Sequence, residues 1–221
     1  MNRWLNTTVK TYLDKYGHAS SPVVYDVGSR DGKDGVELAS RISGTSIINP
    51  SWLASTVVLF ECNPLQQTEI IQRYPKAILI KEAICDKNGT AEFVQLFGDK
   101  NVVGSSSLDK NRVNLPWGKN NNFIEVKTRR LDDVIEHIGH QNLEIDVMKI
   151  DIEGYTYEAL QGLGKYLRNV RVFHLETEIA DIARNKNNLE VFTYMEKKGY
   201  TCTALENEWG DTIQDQVWVR Q

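Results

Sequence analysis

With 221 residues, of which 41% are hydrophobic, 25% charged and 9% aromatic, the chain has enough apolar content to bury a sizeable core and too much for a disordered segment. Its formal net charge of −4 excludes a surface built to neutralise a nucleic-acid duplex, because the local basic cluster of Lys127, Arg129 and Arg130 is too small to reverse the balance. Three cysteines, Cys62, Cys85 and Cys202, lie far apart and are odd in number, which excludes a disulfide framework and a zinc knuckle. No secretory apolar region is recognisable, and no apolar run approaches the ~18 residues of a membrane span. These readings predict one domain over residues 1–221 in a reducing, cytoplasmic setting. A small-molecule or glycan-type partner is expected rather than duplex nucleic acid or a membrane.

Residues 1–20 predict an N-terminal helix. Short apolar runs rich in β-branched residues follow at 23–27, 57–60, 77–80, 145–150 and 170–175, and they read as strands. Because apolar and polar residues hardly alternate in them, they suit a parallel sheet covered on both faces. Helices are expected at 32–42, 64–74, 131–138, 155–166 and 189–198, with Pro64 where a first helical turn tolerates proline. Runs at 90–97 and 123–129 predict an additional strand pair, inserted between the third and fourth core strands. The polar stretch 98–122 joining them suits either a lid or an unstructured loop. A second insertion covers 42–56. The chain ends on strands at 200–205 and 213–219 with a turn at 206–211, an antiparallel hairpin. The expected fold is therefore α/β and Rossmann-like, with a seven-stranded, mostly parallel sheet, helices on both faces and a C-terminal antiparallel hairpin. A dehydrogenase version of this fold continues instead in βα units.

Four strand ends carry chemistry. The first runs from Val23 through Tyr25, Asp26 and Val27 into Gly28, Ser29, Arg30, Asp31 and Gly32, a strand entering a glycine-punctuated turn and then a helix. Gly28 permits a sharp turn and close approach of a ligand to the backbone. Gly28 and Gly32 form GxxxG, whereas a dinucleotide pyrophosphate uses GxGxxG at a helix N-terminus. A phosphate-free cofactor with a cationic ammonium, such as S-adenosylmethionine, calls instead for an acid, which Asp26 supplies directly or through water; the competing reading is a plain strand-to-helix turn. The second strand ends on Glu61, where an acid accepts the hydroxyl protons of an adenosine ribose. Glu61 lies further from the first glycine than the usual ~20 residues, a gap that the 42–56 insertion accounts for. The third segment is expected to lay Ala83 and Ile84 against an adenine face, with a turn at Asp86 to Gly89. In the fourth, Lys149, Asp151, Glu153 and Gly154 follow one another as the strand runs out, and Asp151 and Glu153, two apart, face one side of the crevice. Alternatively Glu153 only begins the next helix.

The chain resembles the FkbM family of methyltransferases from about residue 23 to 178. The residues that carry the likeness are Asp26, Val27, Gly28, Ser29 and Gly32; Glu61 with Asn63 and Pro64; Asp86 and Gly89; Ser107 and Leu108; residues 126–133; and above all the run from Met148 to Gly154, strand-Lys-x-Asp-x-Glu-Gly. The resemblance implies S-adenosylmethionine as cofactor and transfer of its methyl group, commonly to a hydroxyl oxygen of a sugar or natural product. It implies a cofactor set of Asp26, Gly28, Ser29, Asp31, Gly32, Glu61, Cys62, Ala83, Ile84, Ser107 and Asp151. Within that set Asp26, Gly28 and Ser29 hold the methionine end, Glu61 the ribose, Ala83 and Ile84 the adenine, and Asp151 borders the methyl-transfer site. One departure stands out: family members often carry Asn-x-Gly where this chain has Arg30-Asp31-Gly32, which leaves that asparagine's contact open, with Asp31 as the candidate to replace it.

A neutral hydroxyl acceptor needs a base within hydrogen-bond reach, and Asp151, Glu153, His174 and Glu176 are the candidates. Period two places His174, Glu176 and Glu178 on one strand face, where with Asp151 they form a conceivable divalent-cation set. The reading preferred to it is a buried, hydrogen-bonded His174 without a metal, and glutamates that lead into a solvated loop. His18, His137 and His140 are expected at the surface. The competing functions are a nicotinamide-dependent oxidoreductase or epimerase, a non-catalytic S-adenosylmethionine-binding protein and, more weakly, a nucleic-acid methyltransferase, which the charge and the absence of an Asn/Asp-Pro-Pro-aromatic motif oppose.

Overall fold

The computed structural model describes residues 3–45, 56–98, 104–114, 120–179, 188–208 and 213–221. In chain order the elements are α1 (Arg3–Tyr16), β1 (Val24–Val27), α2 (Lys33–Ser43), β2 (Val57–Phe60), α3 (Pro64–Arg73), β3 (Ile78–Ile80), β4 (Ala83–Ile84), β5 (Gly89–Phe97), β6 (Asn120–Arg129), α4 (Leu131–His137), β7 (Ile145–Ile150), α5 (Thr156–Gly162), β8 (Val170–Glu178), α6 (Asn188–Lys197), β9 (Tyr200–Glu208) and β10 (Ile213–Arg220). The main sheet is ordered β3-β2-β1-β7-β8-β10-β9. Its first five members are parallel, and β10 enters antiparallel between β8 and β9. The α/β, mostly parallel sheet with a terminal hairpin is therefore as the sequence predicts.

Successive strand residues point to opposite faces, which divides the core in two. Tyr25, Val58, Phe60, Met148, Phe173 and Trp218 face α4, α5 and α6. Val24, Val57, Leu59, Val147, Val172 and Val217 face α1, α2 and α3, where α1 buries Trp4, Leu5, Val9 and Tyr12 on one stripe. Both faces are covered, so the central strands carry no polar alternation. At the start of α3, Asn63 accepts the Leu65 N–H and Pro64 occupies the first turn, where its missing N–H costs nothing.

The expected extra strand pair exists: β5 and β6 run antiparallel, from Gly89 opposite Thr128 to Phe97 opposite Asn120. One expectation is corrected. Ala83 and Ile84 do not prolong the third core strand but form β4, paired with Thr128 and Arg129 of β6 in a separate three-stranded sheet. Among the described residues β3 is an edge strand whose single neighbour, β2, ends at Phe60, while β6 offers Ala83 and Ile84 a partner edge. The helix expected at 155–166 stops at Gly162, and a 3-10 segment, Gly164–Asn169, completes the connection, since Gly162 and Gly164 are poor helix formers. From the polar stretch 98–122 residues 104–114 are described; they bridge to β5 through Ser107 and Val94 and form a 3-10 turn, Lys110–Asn114. Most of the expected 42–56 insertion and the tip of the terminal hairpin lie outside the described residues. Among the described residues no helix is long and apolar enough to cross a membrane.

Asp146 ties the bottom of the sheet together: it accepts the Val23 N–H at 2.8 Å, the Tyr12 hydroxyl at 2.6 Å and the Arg171 guanidinium at 2.7 Å. Asp146→Asn is expected to lower stability by about 2 kcal/mol, since it removes charge-assisted bonds at a buried carboxylate. Urea denaturation reads this directly, and an unchanged midpoint would show the tie to be idle.

Candidate active site

From β1 the sheet builds outward through β2 and β3 on one side and through β7 and β8 on the other, so the carboxyl ends of β1 and β7 form the topological switch point where open α/β sheets bind ligands. Val27 lies opposite Ile150 there. Immediately beyond, Gly28 adopts φ +88°, and a Cβ on it would stand 1.8 Å from the Asp151 carbonyl oxygen. Only glycine allows these two strand ends to leave the sheet side by side. The cleft above them has a narrow part, lined by Phe60, Glu61, Cys62, Ala83, Ile84 and Phe93, and a wider polar part that Lys33, Asp34, Lys149 and Glu176 reach. Gly28, Arg30, Asp151 and Glu153 border both.

Glu61 closes β2 as predicted. One carboxylate oxygen accepts the Arg30 N–H at 2.9 Å and the other the Asn63 N–H at 2.7 Å, so the group is fixed in orientation with further lone pairs free. Burial pushes its pKa up to about 7 despite those two bonds. Cys62 lines the narrow cleft, and burial raises its thiol pKa well above the usual value, with Glu61 adding to the effect. Ala83 and Ile84 reach the cleft wall from β4 instead of from the third core strand.

The methionine-end residues divide. Gly28 and Ser29 border the cleft, but the Ser29 hydroxyl is spent on the Asp26 carbonyl and the Phe60 N–H, locking β1 to β2. Asp26 is fully buried behind the cleft, accepts the Gly35 N–H at 3.0 Å and lies 3.6 Å from Lys149. Burial pushes its pKa up to about 6. Asp31 is held by Lys33 at 2.8 Å and Arg73 at 2.9 Å, and Gly32 caps α2 in a left-handed conformation. Ser107 lies behind the wall, where its hydroxyl donates to the Glu153 carbonyl at 2.7 Å.

On the opposite wall Asp151, Glu153 and Glu176 place carboxylate oxygens within 4.8 Å of one another. Two buried cations serve this group. Lys149 lies 2.9 Å from Asp151, 3.4 Å from Asp34 and 3.6 Å from Asp26. Arg112, reaching in from the insertion and 2% exposed, pairs with Glu153 and Glu178. The consequences differ. Burial raises and Lys149 lowers the Asp151 pKa, with a net fall; burial takes Glu153 up to about 7 against the pull of Arg112; burial and the neighbouring carboxylates raise Glu176 well above its ordinary range. Glu153 also sits at φ +56°, unusual for a residue with a side chain.

Of the side chains considered as a cation set, Asp151 and Glu176 come together while His174 and Glu178 do not join them. His174 is buried between Thr8 at 3.1 Å and Asp215 at 3.0 Å, with its ring against Trp4, the structural histidine that was preferred from sequence. Glu178 is turned to Arg112. His140, expected at the surface, is buried against the Tyr25 hydroxyl. Sequence reasoning missed Arg112, which sits in a polar stretch with no motif. It also assigned no role to Lys149, although the lysine stands inside the most specific motif.

A switch-point cleft with an acid closing β2, at the carboxyl edge of a sheet that ends in an antiparallel hairpin, defines a Rossmann-like fold of the methyltransferase type. The model described as the methyltransferase FkbM domain matches residues 26–202, and the chain belongs to that family. Among curated proteins it is 26% identical over 163 residues to the 2-O-methyltransferase NoeI of Sinorhizobium fredii, a match that covers 70% of this chain and 63% of that protein, less than two thirds of its length. Among solved structures, magnesium protoporphyrin IX methyltransferase (ChlM) from Synechocystis PCC 6803 with bound SAH superposes with a TM-score of 0.50 at 10% identity, covering 98% of this chain and 81% of that one. The same enzyme with bound SAM gives a TM-score of 0.48 at 12% identity, covering 98% and 78%.

A carboxyl group whose pKa is raised on folding binds its proton more tightly in the native state, so its contribution to stability declines as pH rises from the unfolded value towards the folded one. For Glu61 that window runs from its ordinary value of 4.5 to about 7. Thermal melting of Glu61→Gln between pH 4.5 and 7.5 is therefore expected to fall less with pH than that of the unaltered protein. Parallel curves would contradict the assigned burial of this charge.

Proposed function

We propose that the cleft binds S-adenosylmethionine and that the enzyme methylates a hydroxyl oxygen of a sugar or small natural product. The observation that carries the donor half is Glu61, an oriented carboxylate at the end of β2 beside a narrow apolar slot. Its two oxygens, each with one backbone N–H already accepted, suit a ribose diol. Phe60, Ala83, Ile84 and Phe93 offer the slot a flat apolar lining for adenine. The wider part, bordered by Asp34, Asp151, Glu153 and Glu176, offers carboxyl groups to the ammonium and sulfonium of S-adenosylmethionine. Bound S-adenosylmethionine supplies an electrophilic methyl carbon, and the protein's part is chiefly to position an acceptor in line with it. The name of the Sinorhizobium relative, a 2-O-methyltransferase, supports oxygen as the acceptor atom.

Glu153 is the base in this reading. It borders both parts of the cleft, and a pKa of about 7 matches the working range of a general base. Asp151, held ionised by Lys149, is a weaker proton acceptor, and Glu176 keeps its proton. A small hydroxylated acceptor, no duplex nucleic acid and a cytoplasmic setting complete the proposal.

Isothermal titration is expected to show S-adenosylhomocysteine binding and no NAD binding, with affinity rising as pH increases through about 7, because ionised Glu61 accepts both ribose protons and its protonated form accepts fewer. NAD binding without S-adenosylhomocysteine binding would overturn the donor assignment. Glu153→Gln should retain S-adenosylhomocysteine affinity within a few-fold and lose methyl transfer by roughly 100-fold or more, the usual scale for a general base. The assay is radiolabelled methyl transfer to a panel of hydroxylated sugars, and a fully active variant would remove Glu153 from the chemistry.

A further inference from the structure

The cations of the cleft are unevenly committed. Lys33 is held 2.8 Å from Asp31, and Lys149 is buried among three carboxylates. Arg30 is exposed, borders both parts of the cleft and has no carboxylate partner among the described residues. Its backbone sits at φ +53°, a left-handed conformation that costs a non-glycine residue free energy and persists where the surroundings impose it. What imposes it is visible: the Arg30 N–H donates to Glu61 at 2.9 Å, so the side chain departs from the residue that orients the candidate ribose acid. The guanidinium lies against Gly104 of the insertion, close enough that a Cβ there would stand 3.4 Å from Nη1.

S-adenosylmethionine carries three charges beyond its nucleoside. The sulfonium and the ammonium suit an acid-lined cleft, but the α-carboxylate is repelled by Asp34, Asp151 and Glu153 and needs a cation of its own. We propose that Arg30 holds the α-carboxylate of the donor's methionine moiety and so sets the direction in which the amino-acid arm lies. A guanidinium matches a carboxylate with two parallel N–H donors, which fixes orientation as well as charge. This assignment rests on the donor reading above.

The test compares two ligands by isothermal titration: S-adenosylhomocysteine, and 5′-methylthioadenosine, which retains the adenosine and thioether but lacks the amino-acid arm. Arg30→Gly removes the charge and the side chain while keeping a residue at ease in the left-handed region. It is expected to weaken S-adenosylhomocysteine about tenfold or more and to change methylthioadenosine less than twofold, the difference expected for one charge-assisted contact. Arg30→Lys should restore part of the loss. Equal weakening of both ligands would show that Arg30 acts only through the backbone that grips Glu61, and no weakening of either would show that the carboxylate is held elsewhere; both results overturn the proposal. If the unaltered protein binds neither ligand, the donor reading itself fails, an outcome distinct from either.

Discussion

The Asp151 carbonyl oxygen occupies the space where a Cβ of residue 28 would stand, and the functional half of the molecule depends on that contact. It lets β1 and β7 leave the sheet together at the point where the strand order reverses. Everything that borders the cleft is placed from there. Gly28 leads to Arg30, whose N–H orients Glu61 across the switch point, while Asp151 leads to Glu153 on the opposite wall. A side chain at position 28 would part the two strand ends and misplace both walls at once.

The second organising constraint is the division of charge. Asp26, Asp34, Asp151, Glu153, Glu176 and Glu178 would not share this small region unless cations partitioned them, since like charges at these distances in a poorly hydrated setting repel strongly. Lys149, from within β7, serves the β1 side and holds Asp151 ionised. Arg112, from the insertion, serves Glu153 and Glu178. Glu176 forms no ion pair among the described residues, and burial together with its acidic neighbours raises its pKa well above the ordinary range against the pull of Arg112. The pKa values of three carboxyl groups a few ångströms apart are thereby pushed in different directions, an arrangement in which one can act as a base while another remains a fixed charge.

Much of this was legible in the sequence because it is local. Apolar runs with β-branched residues, Pro64 after Asn63 and the glycines around the first turn specify strands, a helix start and a sharp turn from near neighbours in the chain. Glu61 and Asp151 were legible because strand-end acids have a fixed place in this fold. What escaped was non-local. The departure of Ala83 and Ile84 into a second sheet follows from β3 lacking a partner at that level, which no property of residues 77–84 encodes. Asp26 reads as a cofactor acid from its position, yet it is fully buried against the Gly35 N–H and Lys149, the latter distant in sequence. Arg112 pairs with carboxylates 41 and 66 residues away, from a segment without periodicity or motif.

That last pairing bears on how the insertion relates to the site. Two features assigned to the donor come from the ends of core strands, Gly28 from β1 and Glu61 from β2, whereas the apolar slot is completed by Ala83 and Ile84 of β4 and Phe93 of β5. The acid wall facing the wider cleft is instead completed by the insertion, through the Arg112 guanidinium on Glu153 and the Ser107 hydroxyl on the Glu153 carbonyl. These two contacts hold Glu153 in its left-handed conformation, which its own side chain disfavours. The sheet core therefore fixes Gly28 and Glu61, while the apolar slot beside Glu61 and the charge and orientation of Glu153 both depend on the inserted strand pair and its loop.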